Sequence, residues 1–427
     1  MGYWKDVRLR LGGGNPEAYD HDYVCAECFA DEGLSGFVAG EAHWNACTYC
    51  GAEAEEPIAA PLVEVLLYIT ECFTNEYDTA ENRLTYDNEA GEYVGETWTT
   101  KDLLELHVAA DLPNDEDGDL MEALCAGLAG RLWCRSRPYS FSDDEKLNYS
   151  WDAFCQLVKH DRRYFFLREP EDRELFSPST LLRELETWCR TFELISTVPA
   201  NRPLYRARRQ KPGERLQTPG ELGPPPPEEA TVANRMSPPG IVMFYGSDEP
   251  ETALREVVRT PECDAGRYAV GKFRTLRKTR ILDLTEIPRI PSIFEPVHDT
   301  LEYNPRPPLI FLNYFAAELS MPIACDRSVH IEYVPPQVVT EFVRTEFRHE
   351  GLPVDGIRYR SARYEGGTSL VLFASQENLA EPRPARARSG SSNTVRWIEL
   401  VDSEEREVTL AEAQAWDREA PEAFEWV

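Results

Sequence analysis

The sequence predicts an α+β fold, with a mainly helical N-terminal part ahead of a domain of mixed strands and helices. Three observations carry this prediction. Apolar residues recur at helical spacing over 61–197, short β-rich runs punctuated by proline take over near Ala200, and two close cysteine pairs precede both. At 427 residues and 42% hydrophobic, the chain is long for one compact unit and can bury more than one core. The division it suggests is a cysteine module over 1–60, a helical domain over 61–197, a mixed domain over 198–380, and a linker with a small strand-helix tail over 381–427.

In chain order, Cys25, Cys28, Cys47 and Cys50 come first and form C-x2-C-x18-C-x2-C, a zinc-site spacing. Gly51 follows the second pair, where a chain turning around an ion needs a permissive backbone. Four thiolates complete a tetrahedron, so the expected ion is a structural Zn2+; His43 replacing one thiolate is the alternative. The other seven of the 11 cysteines (Cys72, Cys125, Cys134, Cys155, Cys189, Cys263 and Cys325) stand singly among apolar neighbours and read as reduced core thiols.

Helices are predicted around 62–67, 102–106, 120–124 and 181–185, with Trp98, Trp133, Trp151 and Trp188 filling one helical core. No catalytic constellation is visible in that block. Beyond Ala200, strands are predicted over 241–245, 267–273, 279–284, 330–334 and 370–373, and 221–229, with four consecutive prolines, reads as an extended loop. Pro238-Pro239-Gly240 makes a turn. Asp248 and Glu251 suggest a capping box, with Pro250 in the first turn of a helix whose apolar face is Ala253, Leu254, Val257 and Val258. Glu256 lies off that stripe, where a glutamate is ordinarily a solvated acid. Residues 382–393 read as a linker, 395–401 as a strand, and Thr409 with Glu412 as a helix start.

A formal charge of −30 argues against non-specific attraction to nucleic acid or anionic membrane. The basic run Tyr205-Arg206-Ala207-Arg208-Arg209 better suits one small anion. No apolar stretch approaches the ~18 residues of a membrane span and no leader-like apolar region opens the chain, so a cytoplasmic location is expected.

Four segments are then informative together: LYRAR at 204–208, ANRMSPPGIVMFYGSDEPETALREV at 233–257, YVPPQ at 333–337 and VDGIRYRSARYEGG at 354–367. They resemble, in order, the motifs of the RES domain family, over about 201–380. The N-terminal part resembles a domain found ahead of RES and HEPN toxin domains. The resemblance implies an ADP-ribosyltransferase-like fold and NAD+ as substrate, since bacterial toxin members of the family break down NAD+, some as phosphorylases. It implies site residues Arg206, Tyr245, Glu256 and Ser361, with Tyr205, Arg208 and Arg235 beside them. Guanidinium groups of Arg206 and Arg235 suit a pyrophosphate, Tyr245 would meet nicotinamide or ribose, and Ser361 would donate its hydroxyl to nicotinamide or phosphate. Glu256 would stabilise an oxocarbenium-like ribose as the nicotinamide bond breaks. Two features depart from the family pattern: the proline insertion between Arg209 and Arg235, and Met236-Ser237-Pro238-Pro239 in place of the usual Asn-Pro form.

The expected function is that of a toxin or bacterial defence effector, an NAD+ phosphorylase or glycohydrolase. Transfer of ADP-ribose to a protein or nucleic acid is one alternative, and a non-catalytic zinc-containing interaction protein another. A ribonuclease reading rests on Arg344 and His349 matching the loose R-x4-H pattern. No G-x-S-x-G elbow supports a Ser-His-Asp triad. The N-terminal half would meet an antitoxin, inhibitor or trigger, and a homo-oligomer is compatible with the chain. Self-restraint through that half predicts that a fragment starting near Val198 consumes NAD+ faster than the whole chain.

Overall fold

The computed structural model describes residues 3–421 apart from 12, 14, 109–111, 116, 129, 167–173, 259–263, 296–303, 322–328 and 381–394. Cys263, Cys325 and the predicted linker lie outside the described residues. The fold is α+β, and the chain divides into two compact units: residues 1–146 with 289–307, and residues 147–288 with 308–427. The units thus part at Lys146, not near Thr197.

In the first unit Tyr23–Cys25 pairs antiparallel with Ala59–Pro61, which runs directly into the helix Leu62–Phe73. That helix is apolar around most of its circumference, so it is buried on nearly all sides. The helices Thr100–His107, opened by a capping box between Thr99 and Asp102, and Asp119–Gly127 place Leu103, Leu104, Leu120 and Leu124 in the same core. Phe294, from much later in the chain, is fully buried among these residues. Gly33 makes room for it, because a Cβ there would lie 2.4 Å from the Phe294 carbonyl carbon. Tyr68 Oη donates to the Phe294 carbonyl at 2.5 Å, and Arg306 Nε donates to Glu76 at 3.0 Å.

The second unit is built on a nine-stranded mixed sheet. Its strands are β1 (Ile195–Val198), β2 (Pro203–Arg209), β3 (Phe244–Ser247), β4 (Gly266–Thr275), β5 (Thr279–Asp283), β6 (Gly356–Arg360), β7 (Thr368–Leu372), β8 (Leu379–Ala380) and β9 (Ile398–Val408). Their order is β8-β9-β4-β2-β3-β7-β6-β5-β1, parallel only at β5/β6 and β8/β9. Helices α1 (Asp143–Gln156), α2 (Pro178–Thr191), α4 (Arg306–Ser320) and α5 (Val334–Glu346) enclose one core; α3 (Pro250–Arg255) and α6 (Leu410–Glu419) contribute to another. In α2, Ser177 caps the N-terminus, Pro178 takes the first turn, and Leu181, Leu185, Trp188 and Cys189 fall on one buried stripe.

Several predicted elements are realised differently. Trp133 belongs to the first core, with Trp98 packed against it, whereas Trp151 and Trp188 pack edge-on against Phe315 and Phe311 in the second unit, so these tryptophans serve two cores. Residues 330–332 belong to a helical turn and Val334 opens α5, because Pro335 and Pro336 sit in the first turn of α5, where a missing N–H costs nothing. The predicted strand at 241–245 begins only at Phe244, where pairing with β7 starts. Residues 221–229 are not wholly extended: Pro219–Leu222 forms a capped helical turn that buries Leu222, and Pro227–Glu229 a 3-10 turn. Asp248 caps nothing. It accepts from Arg202 at 3.1 Å and Thr368 at 2.9 Å, while Glu249 occupies the helix cap. The C-terminal tail is no appendage, since β9 pairs with the whole of β4. A chain starting at Val198 would lack α1, α2 and nearly all of β1, which fill the main core, so that cut would unfold the unit rather than release it.

Candidate active site

Strand register brings the site together. Tyr205 on β2 faces Ser247 on β3, Ser247 faces Ser369 on β7, and Ser369 faces Tyr359 on β6. Directly opposed residues point to one face, so these four form a row across four strands. Tyr245, two residues before Ser247, shares that face, while Phe244 turns to the opposite core against Phe273. The row and Tyr245 line a cavity of about 760 Å³, within the ~300–1,000 Å³ usual for small-molecule sites. Arg206, Arg208, Arg235 and Glu256 also line it.

Glu256 stands at the C-terminal end of α3. Its Oε1 accepts from Ser361 Oγ at 2.5 Å and from Ser369 Oγ at 3.1 Å; Oε2 has no hydrogen-bond partner among the described residues. The glutamate that reads as a solvated acid on a helical wheel is therefore a fixed carboxylate with one oxygen available to a ligand. Ser361 is buried behind it, and its own backbone N–H donates to Gly367.

The arginines are held by neutral groups. Arg206 donates from Nη1 to the Tyr245 carbonyl at 2.6 Å and from Nε to the Leu222 carbonyl at 3.1 Å. Arg208 donates to the Glu221 carbonyl at 2.5 Å and Arg235 to the Leu319 carbonyl at 2.6 Å. None of the three forms a salt bridge among the described residues, in a chain with 75 acidic and 45 basic residues. Burial, then the neighbouring Arg208, lowers the Arg206 pKa to about 10, so it stays charged at neutral pH. Three guanidinium groups held by carbonyls thus line one cavity, and none of them is neutralised by an acidic side chain among the described residues.

Burial raises the Tyr245 pKa to about 12, which keeps the phenol neutral. Its oxygen lies 3.0 Å from Ser237 Oγ and accepts from the Met236 N–H at 3.3 Å. The segment Met236-Ser237, which departs from the family pattern, thus fixes the tyrosine. The proline insertion contributes Pro225 and residues 229–232 to the cavity wall. Ser237, Ser369, Tyr333 and Arg363 are cavity residues that sequence reasoning missed. For Ser369 the only trace was a hydroxyl at an alternate position of a buried strand. Arg344, on the exposed side of α5, and His349 do not line the cavity.

In the first unit Cys25, Cys28, Cys47 and Cys50 place their Sγ atoms within 4.8 Å of one another, three of the residues being buried. Sulfurs ~2.3 Å from a zinc ion at tetrahedral angles lie about 3.8 Å apart. The separations Cys25–Cys28, Cys28–Cys47 and Cys25–Cys50 are 3.7, 3.7 and 3.4 Å. The donor set fits that ion, and Gly51 has φ +70°, the left-handed conformation the turn calls for. His43 is exposed, its Nδ1 against the Ala42 carbonyl, and takes no part. Hydrogen bonding from Cys28 lowers the Cys47 pKa to about 4, while Cys25 is pushed up to about 12 by burial and Cys28 is raised through its bond to Cys47. A divalent cation bound among them would favour the thiolate form of its ligands.

No helix of the described residues is long and apolar enough to cross a membrane. Residues 203–396 match the RES domain family, and residues 41–172 match HEPN/RES N-terminal domain 1. No curated protein and no solved structure matches the chain.

Proposed function

We propose, from the premise that the chain carries a RES domain behind a HEPN/RES N-terminal domain, that it cleaves the nicotinamide–ribose bond of NAD+. The observation that carries this reading is Glu256, whose Oε1 is fixed by two serine hydroxyls while Oε2 stays available in a cavity that three arginines make attractive to a pyrophosphate. As the C–N bond breaks, its electron pair leaves with nicotinamide, which departs neutral. Positive charge develops on the ribose, where the Glu256 carboxylate stabilises it. Tyr245 flanks the nicotinamide, Arg206 and Arg235 hold the pyrophosphate, and Ser361 and Ser369 orient the glutamate. An oxygen of phosphate or water then bonds to the ribose carbon, giving ADP-ribose-1″-phosphate or ADP-ribose; a macromolecular acceptor in its place would make the protein an ADP-ribosyltransferase. In this reading the four cysteines hold a structural Zn2+, NAD+ loss makes the chain a toxin or defence effector, and the first unit meets an inhibitor or trigger.

Incubation of the whole chain with NAD+, with and without phosphate, tests the proposal through its products. Loss of NAD+ that Glu256→Ala abolishes is the expected result. NAD+ left intact by the parent chain overturns the reading and favours a binding role, and NAD+ consumed equally by the variant overturns the role given to Glu256.

A further inference from the structure

The match to the RES domain ends at residue 396, yet the next 25 residues supply β9 and α6 to the same unit. Helix α6 starts from a capping box between Thr409 and Glu412, which orders its first turn. It buries Ala413 and Trp416 against Ala253, Leu254 and Val258, the apolar face of the segment that carries Glu256. Its last turn then reaches both partners of the 2.5 Å Ser361–Glu256 hydrogen bond through their neighbours. Arg255, immediately before Glu256, is only 8% exposed. It donates to Glu419 at 2.9 Å and to Glu251 at 3.2 Å, with its guanidinium 5.1 Å from the Trp416 ring and 4.3 Å from that of Tyr364. Arg363, two residues after Ser361, donates from its backbone N–H to Ser361 Oγ at 3.2 Å and from Nη2 to Asp417 and to the Val258 carbonyl, both at 3.2 Å.

We infer that α6 is part of the active site's framework: Trp416, Asp417 and Glu419 are positioning residues that hold Glu256 and Ser361 in register through Arg255 and Arg363. Glu256 and Ser361 are 105 residues apart in sequence and come from different elements, a helix end and the loop after β6. A hydrogen bond between two such segments keeps its geometry only if something fixes both, and α6 is ion-paired to both. Arg255 and Arg363 are long cations whose alternatives in this acidic chain are many, and a fixed carboxylate for each selects one rotamer. The consequence for catalysis rests on the NAD+-cleaving reading; the consequence for local order does not.

The experiment uses the whole chain carrying Asp417→Asn with Glu419→Gln, beside Arg406→Gln as control. The control removes the Arg406–Glu412 pair near the start of the same helix, at 3.4 Å, without touching the clamp. Two measurements are made: hydrogen exchange of peptides covering 250–258 and 358–367, and kcat and KM for NAD+ loss. Expected in the double variant are faster exchange in both peptides and a kcat lower by about tenfold at little-changed KM, as slight misplacement of a catalytic group produces. The control should match the parent in both. Exchange unchanged in the double variant, or equally raised in the control, overturns the inference even if the parent leaves NAD+ intact, and a parent inactive on NAD+ overturns only the functional reading. Should the double variant unfold, the single change Glu419→Gln is read in the same two ways, with exchange over 250–258 expected to rise more than over 358–367.

Discussion

The four cysteines of the first unit and the glutamate–serine cluster of the second are both convergences of polar groups, and they differ in what is left over. Around the cysteines every donor turns inward within 4.8 Å, so an ion bound there has no position for another ligand. Around Glu256 two hydroxyls take one oxygen and the other is left for a ligand, while the arginines spend their strongest bonds on carbonyls and keep their charge. A closed polar set can only stabilise a fold, whereas an open one in a cavity of about 760 Å³ leaves room for a small molecule.

The largest expected effect tests the closed half of that contrast. Metal analysis of the whole chain should find one zinc, and Cys47→Ser should release it and abolish cooperative unfolding of the first unit, since structural zinc contributes ~10 kcal/mol at neutral pH. An unchanged melting profile without metal would break the comparison. Next comes the open half: Glu256→Gln should lower kcat for NAD+ loss about 10³-fold while leaving the thermal midpoint alone. A large loss of stability instead would make Glu256 a structural residue like the cysteines.

Acid should weaken the first unit through one buried imidazole. His107, beside Tyr77 Oη at 3.0 Å, is held neutral by burial and then by Arg306 and Arg135, with its pKa lowered to about 4. The unfolded imidazole ionises near 6.5, so its contribution is complete above that pH and is lost as pH falls toward 4, in all ~3 kcal/mol. Denaturant unfolding of the first unit at pH 7 and pH 4.5 should therefore show a steeper fall in the parent than in His107→Gln. The smallest effect sharpens the site itself. Ser361→Ala, removing the 2.5 Å bond, should reduce kcat more than Ser369→Ala, removing the 3.1 Å one, which should cost about fivefold. Equal losses would mean that the two hydroxyls are interchangeable.

Much of this was legible in residue order. The zinc spacing, the capping box at Thr409, Gly51 and the strands around 267–273 and 279–284 rest on local chemistry, and each formed as read. The helical turn at 329–332 was misread because Val, Ile and Tyr favour strands, whereas the prolines after them suit a first helical turn better than a sheet. Asp248 was misread for the same kind of reason. A helix-capping pattern is local, but Arg202 and Thr368 offered this carboxylate stronger partners from elsewhere in the fold.

By itself the sequence determined which chemical groups the protein owns and in what order, since thiolate spacing, turn glycines, caps and the RES-like motifs act over a few residues. Only the tertiary structure decided that Phe294 completes the core of the first unit, that Ser369 shares Glu256 with Ser361, and that the C-terminal helix ends on the arginines flanking both. Those relations join segments far apart in the chain, from the 54 residues between Arg363 and Asp417 to the 105 between Ser361 and Glu256 and beyond. They are set by strand register and by the competition of buried polar groups for partners, neither of which any local stretch of sequence contains.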